Sequence, residues 1–340
     1  MAAPLGAQDA LPPASSTWSH DRSGLSLPTT LAGFTRGQSR QYDEDGYNVS
    51  INFRDDASGS SADVYVYRAA PASVPLWGDR AVTGMFANPN LGEVDVAAVR
   101  IGRFTPPNGA GAESGLKVVT PIKGDLASSG LAIYAHDGWL VKLRMSSRTL
   151  DATAIEMRMA EFIAGLRLPA ATRPAPPFAD IADCTAPLKS DKKAKLMQLD
   201  MMGTIMLGAT LGTINEDRVK NAAKASASSR AEPVWCRDAS SQPQYGVYRS
   251  GGEDDAYLVA IGDSGTSLSV GRYDMGPLMK PSRGFLVTQS DGVTELVYPP
   301  FDRLPLPEQM LALPGKISPV SSISLVPGEE NKQTIIVPPK

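Results

Sequence analysis

Alternating apolar and polar positions predict strands along most of the chain. In LAIYAHDGWLVKLRM, residues 131–145, two such runs flank Asp137-Gly138, a dipeptide favoured in two-residue hairpin turns. The same alternation predicts further strands, at 47–53, 62–68, 94–104, 116–122, 245–250, 256–262, 266–273, 284–290 and 293–299. The pattern is typical of antiparallel sheets joined by short turns.

Helical spacing is confined to a few stretches. Apolar residues four and three positions apart predict a helix over 151–167 that ends before Pro169. In the most apolar segment, 196–214, apolar side chains occupy nearly every helical face. This pattern predicts a helix that is buried on several sides, with Asp191 able to cap it. Asn215 predicts an interruption and the cap of a second helix over 216–226.

Proline-rich sequence separates the two strand-rich halves. PAATRPAPP at 169–177 is too rich in proline for a helix or a central strand and predicts a semi-rigid extended spacer. We therefore predict an α+β protein of two domains, each an antiparallel sheet with flanking helices. The predicted boundaries are a flexible lead at 1–23, a first domain at 24–168, a linker at 169–178, a second domain with a helical insert at 179–316, and a flexible tail at 317–340.

The two cysteines, Cys184 and Cys236, border the helical insert. Free buried thiols are one interpretation, and they are what a cytosolic protein would have. A disulfide is the other, and it would close a loop of about fifty residues, worth about 4 kcal/mol in the chain-entropy model. The opening residues MAAPLGAQDALPPASS are similar in composition to the region around and after a signal-peptidase cut. We therefore expect an exported protein, periplasmic or extracellular, in which the cysteines pair.

Four methionines, Met197, Met201, Met202 and Met206, give the apolar segment a second interpretation. Methionine adapts its shape to a ligand, so these residues could line an apolar groove. A membrane span with Gly208-x-x-x-Gly212 as its contact face is a third interpretation. Only about fourteen residues after Asp200 lack a charge, however, and a span needs about twenty. We therefore expect no membrane span.

Composition excludes several classes of protein. The net charge of −3 gives no electrostatic case for binding nucleic acid or an acidic membrane. The two histidines, His20 and His136, are too few for a histidine-rich metal site. The sequence contains no phosphate-binding glycine loop and no zinc-ligand spacing, so we expect no cofactor and assign no metal ligands.

Gly262-Asp263-Ser264-Gly265 is similar to the first half of the nucleophile motif of trypsin-like proteases. The second half is missing, and strands are predicted on both sides, which indicates a hairpin turn. His136 borders a turn of the first domain, and we place His20 in the flexible lead. We therefore assign no catalytic residues and expect Ser264 and His136 to lie in exposed turns.

Acidic clusters occur at 43–45, 55–56 and 253–255. They lack the alternating spacing that wraps calcium, and each borders a predicted strand, so solvated turns are the simpler interpretation. The four tryptophans, Trp18, Trp77, Trp139 and Trp235, are too scattered in sequence to indicate a sugar platform.

Residues 24–168 resemble the PsbP-like family in the order of their elements. The resemblance rests on Gly24-Leu25-Ser26-Leu27-Pro28, a strand hairpin, LAIYAHDGWLVKLRM, and a last helix that ends Gly165-Leu166-Arg167-Leu168. It implies a curved antiparallel sheet flanked by helices and an accessory protein without catalysis. The lipidated N-terminal cysteine of some bacterial relatives is not found in this chain.

These observations favour a non-catalytic exported subunit of the bacterial cell envelope that binds a protein partner. Two alternatives remain open. One is an envelope hydrolase with a site that the sequence does not reveal. The other is a carrier of an apolar ligand at the methionine-rich helix.

Overall fold

A computed structural model describes residues 8–10, 17–107, 112–188, 192–224, 233–251, 254–274, 283–326, 328–329 and 332–336. The chain divides into two compact units, Met1–Arg68 with Ala72–Asp180 and Ala69–Pro71 with Ile181–Lys340. Sheet predominates, and the described residues also contain four α-helices, in agreement with the α+β class.

The first unit contains a ten-stranded antiparallel sheet and a separate two-stranded sheet. Its strands are β1 (Gln8–Ala10), β2 (Thr17–His20), β3 (Leu25–Pro28), β4 (Thr30–Leu31), β5 (Phe34–Gln41), β6 (Asn48–Asp55), β7 (Ser60–Arg68), β8 (Glu93–Val94), β9 (Arg100–Phe104), β10 (Gly115–Lys123), β11 (Ser128–His136) and β12 (Trp139–Ser147). In the large sheet the order is β1-β5-β6-β7-β12-β11-β10-β8, with β4 beside β5 and β9 beside β10. The small sheet pairs β2 with β3.

The hairpin predicted at 131–145 is present as β11 and β12. Its nine residue pairs run from Ser128 opposite Ser147 to His136 opposite Trp139. Asp137 and Gly138 have φ angles of 47° and 81°. These are the left-handed values that a two-residue turn with the twist of its strands requires. The dipeptide therefore determines the register of the central strand pair.

Two helices pack on this sheet, and one of them is absent from the sequence prediction. α1 (Val74–Phe86) contains Pro75 and Gly78, which obscure its helical pattern. Ser73 caps it, and a side chain at Gly78 would lie 2.7 Å from Leu116, so glycine allows the helix to approach the sheet closely. A short 3₁₀ helix follows at Val96–Ala98.

α2 (Ala152–Ala164) lies within the predicted range of 151–167. The carboxylate of Asp151 accepts hydrogen bonds from the N–H groups of Thr153 and Ala154, which would otherwise lack partners in the first turn. Ile155, Met159, Phe162 and Ile163 form its buried face.

Regular structure in the first unit begins earlier than predicted. The expected flexible lead ended near Gly24, but Thr17–His20 pairs with Leu25–Pro28, and Gln8–Ala10 pairs with β5. A sequence rich in alanine, proline and serine predicted disorder. The pairing partners of these strands could not be identified from the local pattern.

The second unit contains one nine-stranded sheet with its strands in sequence order. They are β13 (Ala182–Asp183), β14 (Trp235–Arg237), β15 (Tyr245–Ser250), β16 (Tyr257–Ile261), β17 (Ser267–Asp274), β18 (Arg283–Ser290), β19 (Thr294–Val297), β20 (Ser321–Ser324) and β21 (Gln333–Ile335). β13 and β14 are parallel, and the other neighbours are antiparallel. The five strands predicted between 245 and 299 correspond to β15–β19.

The expected disulfide is present between Cys184 and Cys236. Cys184 follows β13 and donates its backbone N–H to the carbonyl of Arg237 at 2.9 Å. The bond therefore joins the two ends of the segment that contains the long helix, as predicted.

This helix, α3 (Met201–Lys224), differs from the prediction in start, continuity and burial. It begins after Asp200, whose carboxylate accepts the N–H of Gly203 at 2.7 Å. The preceding residues pair instead with an extended segment, as Leu196 forms a β-bridge with Phe301. Asp191, the predicted cap, lies outside the described residues. Asn215 is buried within one continuous helix and starts no second helix at 216–226.

One face of α3 is exposed, so the prediction of a helix buried on several sides is wrong. Leu207 is fully buried, whereas Met201 and Met202 are about 60% exposed. No described helix has the length and hydropathy needed to cross a membrane.

The C-terminal residues also differ from the predicted flexible tail. β20 pairs with β19 and with β21, so two segments of the predicted tail extend the protein's own sheet. Gln333 donates a hydrogen bond from its side-chain amide to the carbonyl of Gly208 in α3, at 2.8 Å. α4 (Pro307–Leu311) lies between β19 and β20 in sequence.

Candidate functional site

A cleft of about 700 Å³ lies in the first unit. We call it the His20 cleft. Its wall comprises β2 with the following turn, the end of β5 and the loop at 42–46. Aromatic and charged side chains and one imidazole line it, among them Trp18, His20, Arg22, Tyr42, Asp43 and Glu44.

His20 joins two parts of this wall. Its Nε2 lies 2.7 Å from the carbonyl oxygen of Gly46, and its Nδ1 lies 2.7 Å from Oγ of Ser23. A carbonyl oxygen only accepts, so Nε2 carries the proton. Burial lowers the pKa of His20. The imidazole is therefore neutral at pH 7, and Nδ1 accepts the hydroxyl proton of Ser23.

Ser23 and His20 resemble a nucleophile and its base by distance alone, but their surroundings indicate a structural role. Ser23 is buried and does not line the cleft. Its Oγ also accepts the N–H of Leu25 at 3.2 Å, which holds it in the turn between β2 and β3. A substrate in the cleft would meet the edge of His20 and would not meet the Ser23 hydroxyl.

Two tryptophan rings pack against His20, and a tyrosine stacks on one of them. The ring of Trp18 is parallel to His20 at a centroid distance of 6.0 Å, and Trp139 meets His20 edge-on at 5.4 Å. Tyr47 stacks on Trp139 at 6.0 Å. The guanidinium of Arg22 lies 4.1 Å from the centroid of the Tyr47 ring and donates to its hydroxyl at 2.5 Å. The cluster fixes both the wall and the position of Arg22.

The acidic loop beside these rings is held by backbone contacts. Asp43 accepts the N–H of Tyr47 at 2.9 Å, and the side-chain amide of Gln41 donates to the carbonyls of Asp43 and Glu44. Arg22 is 3.9 Å from the carboxylate of Asp45, which is largely exposed. Among the described residues, no group of three His, Cys, Asp or Glu side chains is placed to hold a metal ion.

No protein-family model matches the sequence, and no curated protein or solved structure is significantly similar to the chain.

The two candidates taken from sequence motifs have different environments. Ser264 is exposed in a turn between β16 and β17, where Gly262 and Gly265 have φ angles of 56° and 91°. This agrees with its interpretation as a turn residue. His136 was expected to be exposed but is 5% exposed at the end of β11. Burial lowers the pKa of His136, although the charge of Asp137 opposes this shift.

The four methionines proposed for an apolar groove have unlike environments. Met206 packs against the small core cluster around Leu207, and Met197 lies in the extended segment before α3. Met201 and Met202 are exposed on the helix surface. Half of the set thus contributes to packing, and the other half faces solvent.

A second cavity, of about 260 Å³, lies in the first unit between α2 and strands β9 and β10. Apolar side chains form most of its wall, while Lys117 and Glu156 lie at its rim as an ion pair of 2.7 Å. Sequence reasoning missed both cavities. Trp18 and Trp139 are 121 positions apart in the chain, and only strand pairing brings them to His20.

Proposed function

We propose that this protein is a non-catalytic binding subunit exported to the bacterial cell envelope, and that it binds a protein partner at the His20 cleft. The observation that carries the proposal is the hydrogen bonding of His20. Nε2 donates to the carbonyl of Gly46, and Nδ1 accepts from Ser23, which is buried and does not line the cleft, so we assign the imidazole a structural role.

The composition of the cleft supports a protein as its partner. Tyr42 is exposed and Trp18 is half-buried, and both line the cleft together with Arg22. Aromatic residues and arginine are enriched where proteins bind one another, because they offer large contact areas with few rotatable bonds. Carboxylates of the loop at 42–46 would select against an acidic partner.

Export is supported by the disulfide between Cys184 and Cys236, since such bonds persist in oxidising compartments. We further propose that the two compact units are independent domains, with the PsbP-like resemblance applying to residues 24–168 only. The accessory role without catalysis that this resemblance implies agrees with the proposal, although Trp18, His20 and Arg22 of the cleft precede the residues that it covers.

Site-specific photocrosslinking tests the proposal. A photoreactive phenylalanine analogue replaces Tyr42 in one variant and Ser264 in a control, and each variant is produced in the bacterium from which the gene comes. Both positions are exposed, so the two variants differ in location and not in accessibility.

We expect one discrete crosslinked protein from position 42, absent from position 264 and lost when Trp18→Ala is added. Identical products from both positions, or none from position 42, would contradict a partner site in the cleft.

A further inference from the structure

We propose that the second cavity binds a small amphiphile with an anionic head group. This inference concerns a different site from the His20 cleft and does not depend on the proposed function. We call this site the α2 cavity.

The wall of the α2 cavity is suited to an apolar body. Six apolar residues form it, Phe104, Pro107, Met159, Ala160, Ile163 and Ala164. Ala160 and Ala164 are one helical turn apart on α2, and their small side chains leave the space open. The volume of about 260 Å³ holds roughly nine non-hydrogen atoms, at the ~30 Å³ that one water molecule occupies in the liquid.

The charges at the rim favour an anionic head group. Glu156 is shared by two cations, with Oε1 2.7 Å from Nζ of Lys117 and Oε2 3.1 Å from Nη2 of Arg100. Arg100 offsets the charge of Glu156 from outside the lining of the cavity, so the ammonium of Lys117 is the cation that lines it. Lys117 also has ammonium protons beyond the one that Glu156 uses.

Arg100 is held at the start of α2, beside the cavity and not in its lining. Arg100 donates hydrogen bonds to the carbonyl of Ala152 and to the hydroxyl of Thr153, which places its guanidinium at the start of the helix. The carboxylate of Asp151 already accepts the first N–H groups of α2, so the helix N-terminus offers no further site for an anion. A carboxylate with a chain of about eight carbons fits both the volume and the charge.

Sodium octanoate is the probe, used below the concentration at which it forms micelles. The methyl carbons of methionine are labelled with ¹³C in the full chain, and octanoate is titrated against their NMR signals. Met159 lines the cavity, whereas Met157 on the same helix is 59% exposed and does not line it. We expect a saturable shift of the Met159 signal and an unchanged Met157 signal.

Two comparison ligands and three variants separate the apolar and charged contributions. Octylammonium should bind at least fivefold more weakly than octanoate, with neutral octanol between them. Lys117→Gln should weaken octanoate binding at least threefold and change octanol binding less than twofold. Ala164→Phe should fill the cavity and weaken octanoate and octanol at least tenfold, while Met157→Phe, at a position of the same helix that does not line the cavity, should change neither.

Equal affinity for octanoate and octylammonium would contradict the proposed preference of the cavity for an anionic head group. A Met159 shift that does not saturate, or octanoate binding that survives Ala164→Phe in a folded variant, would overturn the site itself.

Discussion

The carboxylate of Asp137 accepts hydrogen bonds from both the backbone N–H and the hydroxyl of Thr172. The N–H lies 2.9 Å from Oδ2 and 3.0 Å from Oδ1, and the hydroxyl oxygen lies 3.0 Å from Oδ1. The N–H of Arg173 is a further donor, at 3.1 Å. The tip of the β11–β12 hairpin therefore binds the proline-rich segment at 169–177. This segment lies within the first unit, which ends at Asp180.

Asp137→Asn tests this contact. Asparagine tolerates the left-handed backbone of the turn, so the variant removes the charge and keeps the turn. We expect a loss of about 1 kcal/mol in the free energy of unfolding at pH 7, measured by denaturant titration, because charge-assisted hydrogen bonds near the surface become weaker. Asp137→Ala, which also strains the turn, should cost more. An unchanged stability in Asp137→Asn would mean that the contact contributes nothing.

The same contact has a defined pH dependence. Burial raises the pKa of Asp137, but the hydrogen bonds from Thr172 and Arg173 outweigh burial and lower the pKa overall. A lowered pKa in the folded state stabilises the protein above the ordinary aspartate value of about 3.9. The difference between the wild type and Asp137→Asn should therefore be constant near neutral pH and shrink below about pH 4. A difference that grows on acidification would contradict the assignment.

Sequence patterns predicted those elements that local chemistry determines. Asp137-Gly138 specified the central hairpin, and the spacing around Ile155 specified α2. Elements that depend on distant partners were missed or misplaced. β20 and β21 lie in the predicted flexible tail, because the local pattern does not show that they pair with β19 and with each other. Leu196 lies outside the helix predicted for it, because it forms a β-bridge with the distant Phe301. The cleft was missed because Trp18 and Trp139 meet only in the fold.

Two buried tyrosines should respond differently to loss of the hydroxyl. The hydroxyl of Tyr134 has no hydrogen-bond partner among the described residues, whereas the hydroxyl of Tyr257 donates to the carbonyl of Pro305 at 2.6 Å. Tyr134→Phe should change the free energy of unfolding by less than about 0.5 kcal/mol, and Tyr257→Phe should lower it by about 1 kcal/mol. Denaturant titration of both variants measures the difference. Equal losses would show that Tyr134 has a partner.

The packing of α3 against β21, which we call the seam, can be tested by replacing two adjacent residues of α3. A side chain at Gly208 would lie 2.7 Å from Ile335, whereas Ala209 is exposed on the same helix. Gly208→Val should displace β21 and make the chain after Ser324 an early site of limited proteolysis. Ala209→Val has the same β-branched side chain and should leave the cleavage pattern unchanged. If both variants are cleaved alike, helix propensity and not the seam explains the effect.

His136 and Ser264 should differ in the effect of replacement by alanine, because His136 is buried and Ser264 is exposed. His136→Ala should lower the free energy of unfolding by about 1–3 kcal/mol, since it removes a packed side chain. Ser264→Ala should change it by less than about 0.5 kcal/mol. Thermal denaturation of the two variants at pH 7 measures both. Similar melting temperatures would indicate that the imidazole of His136 contributes no packing.

If the His20 cleft binds a partner without catalysis, Ser23 should not react with a covalent probe of activated serines. A fluorophosphonate reacts with a serine whose hydroxyl is accessible and activated by a base. Because Ser23 is buried, accepts from Leu25 and does not line the cleft, we expect mass spectrometry of the folded protein to find no adduct on Ser23. A stoichiometric adduct on Ser23 that disappears in His20→Asn would contradict the claim and identify the protein as a hydrolase.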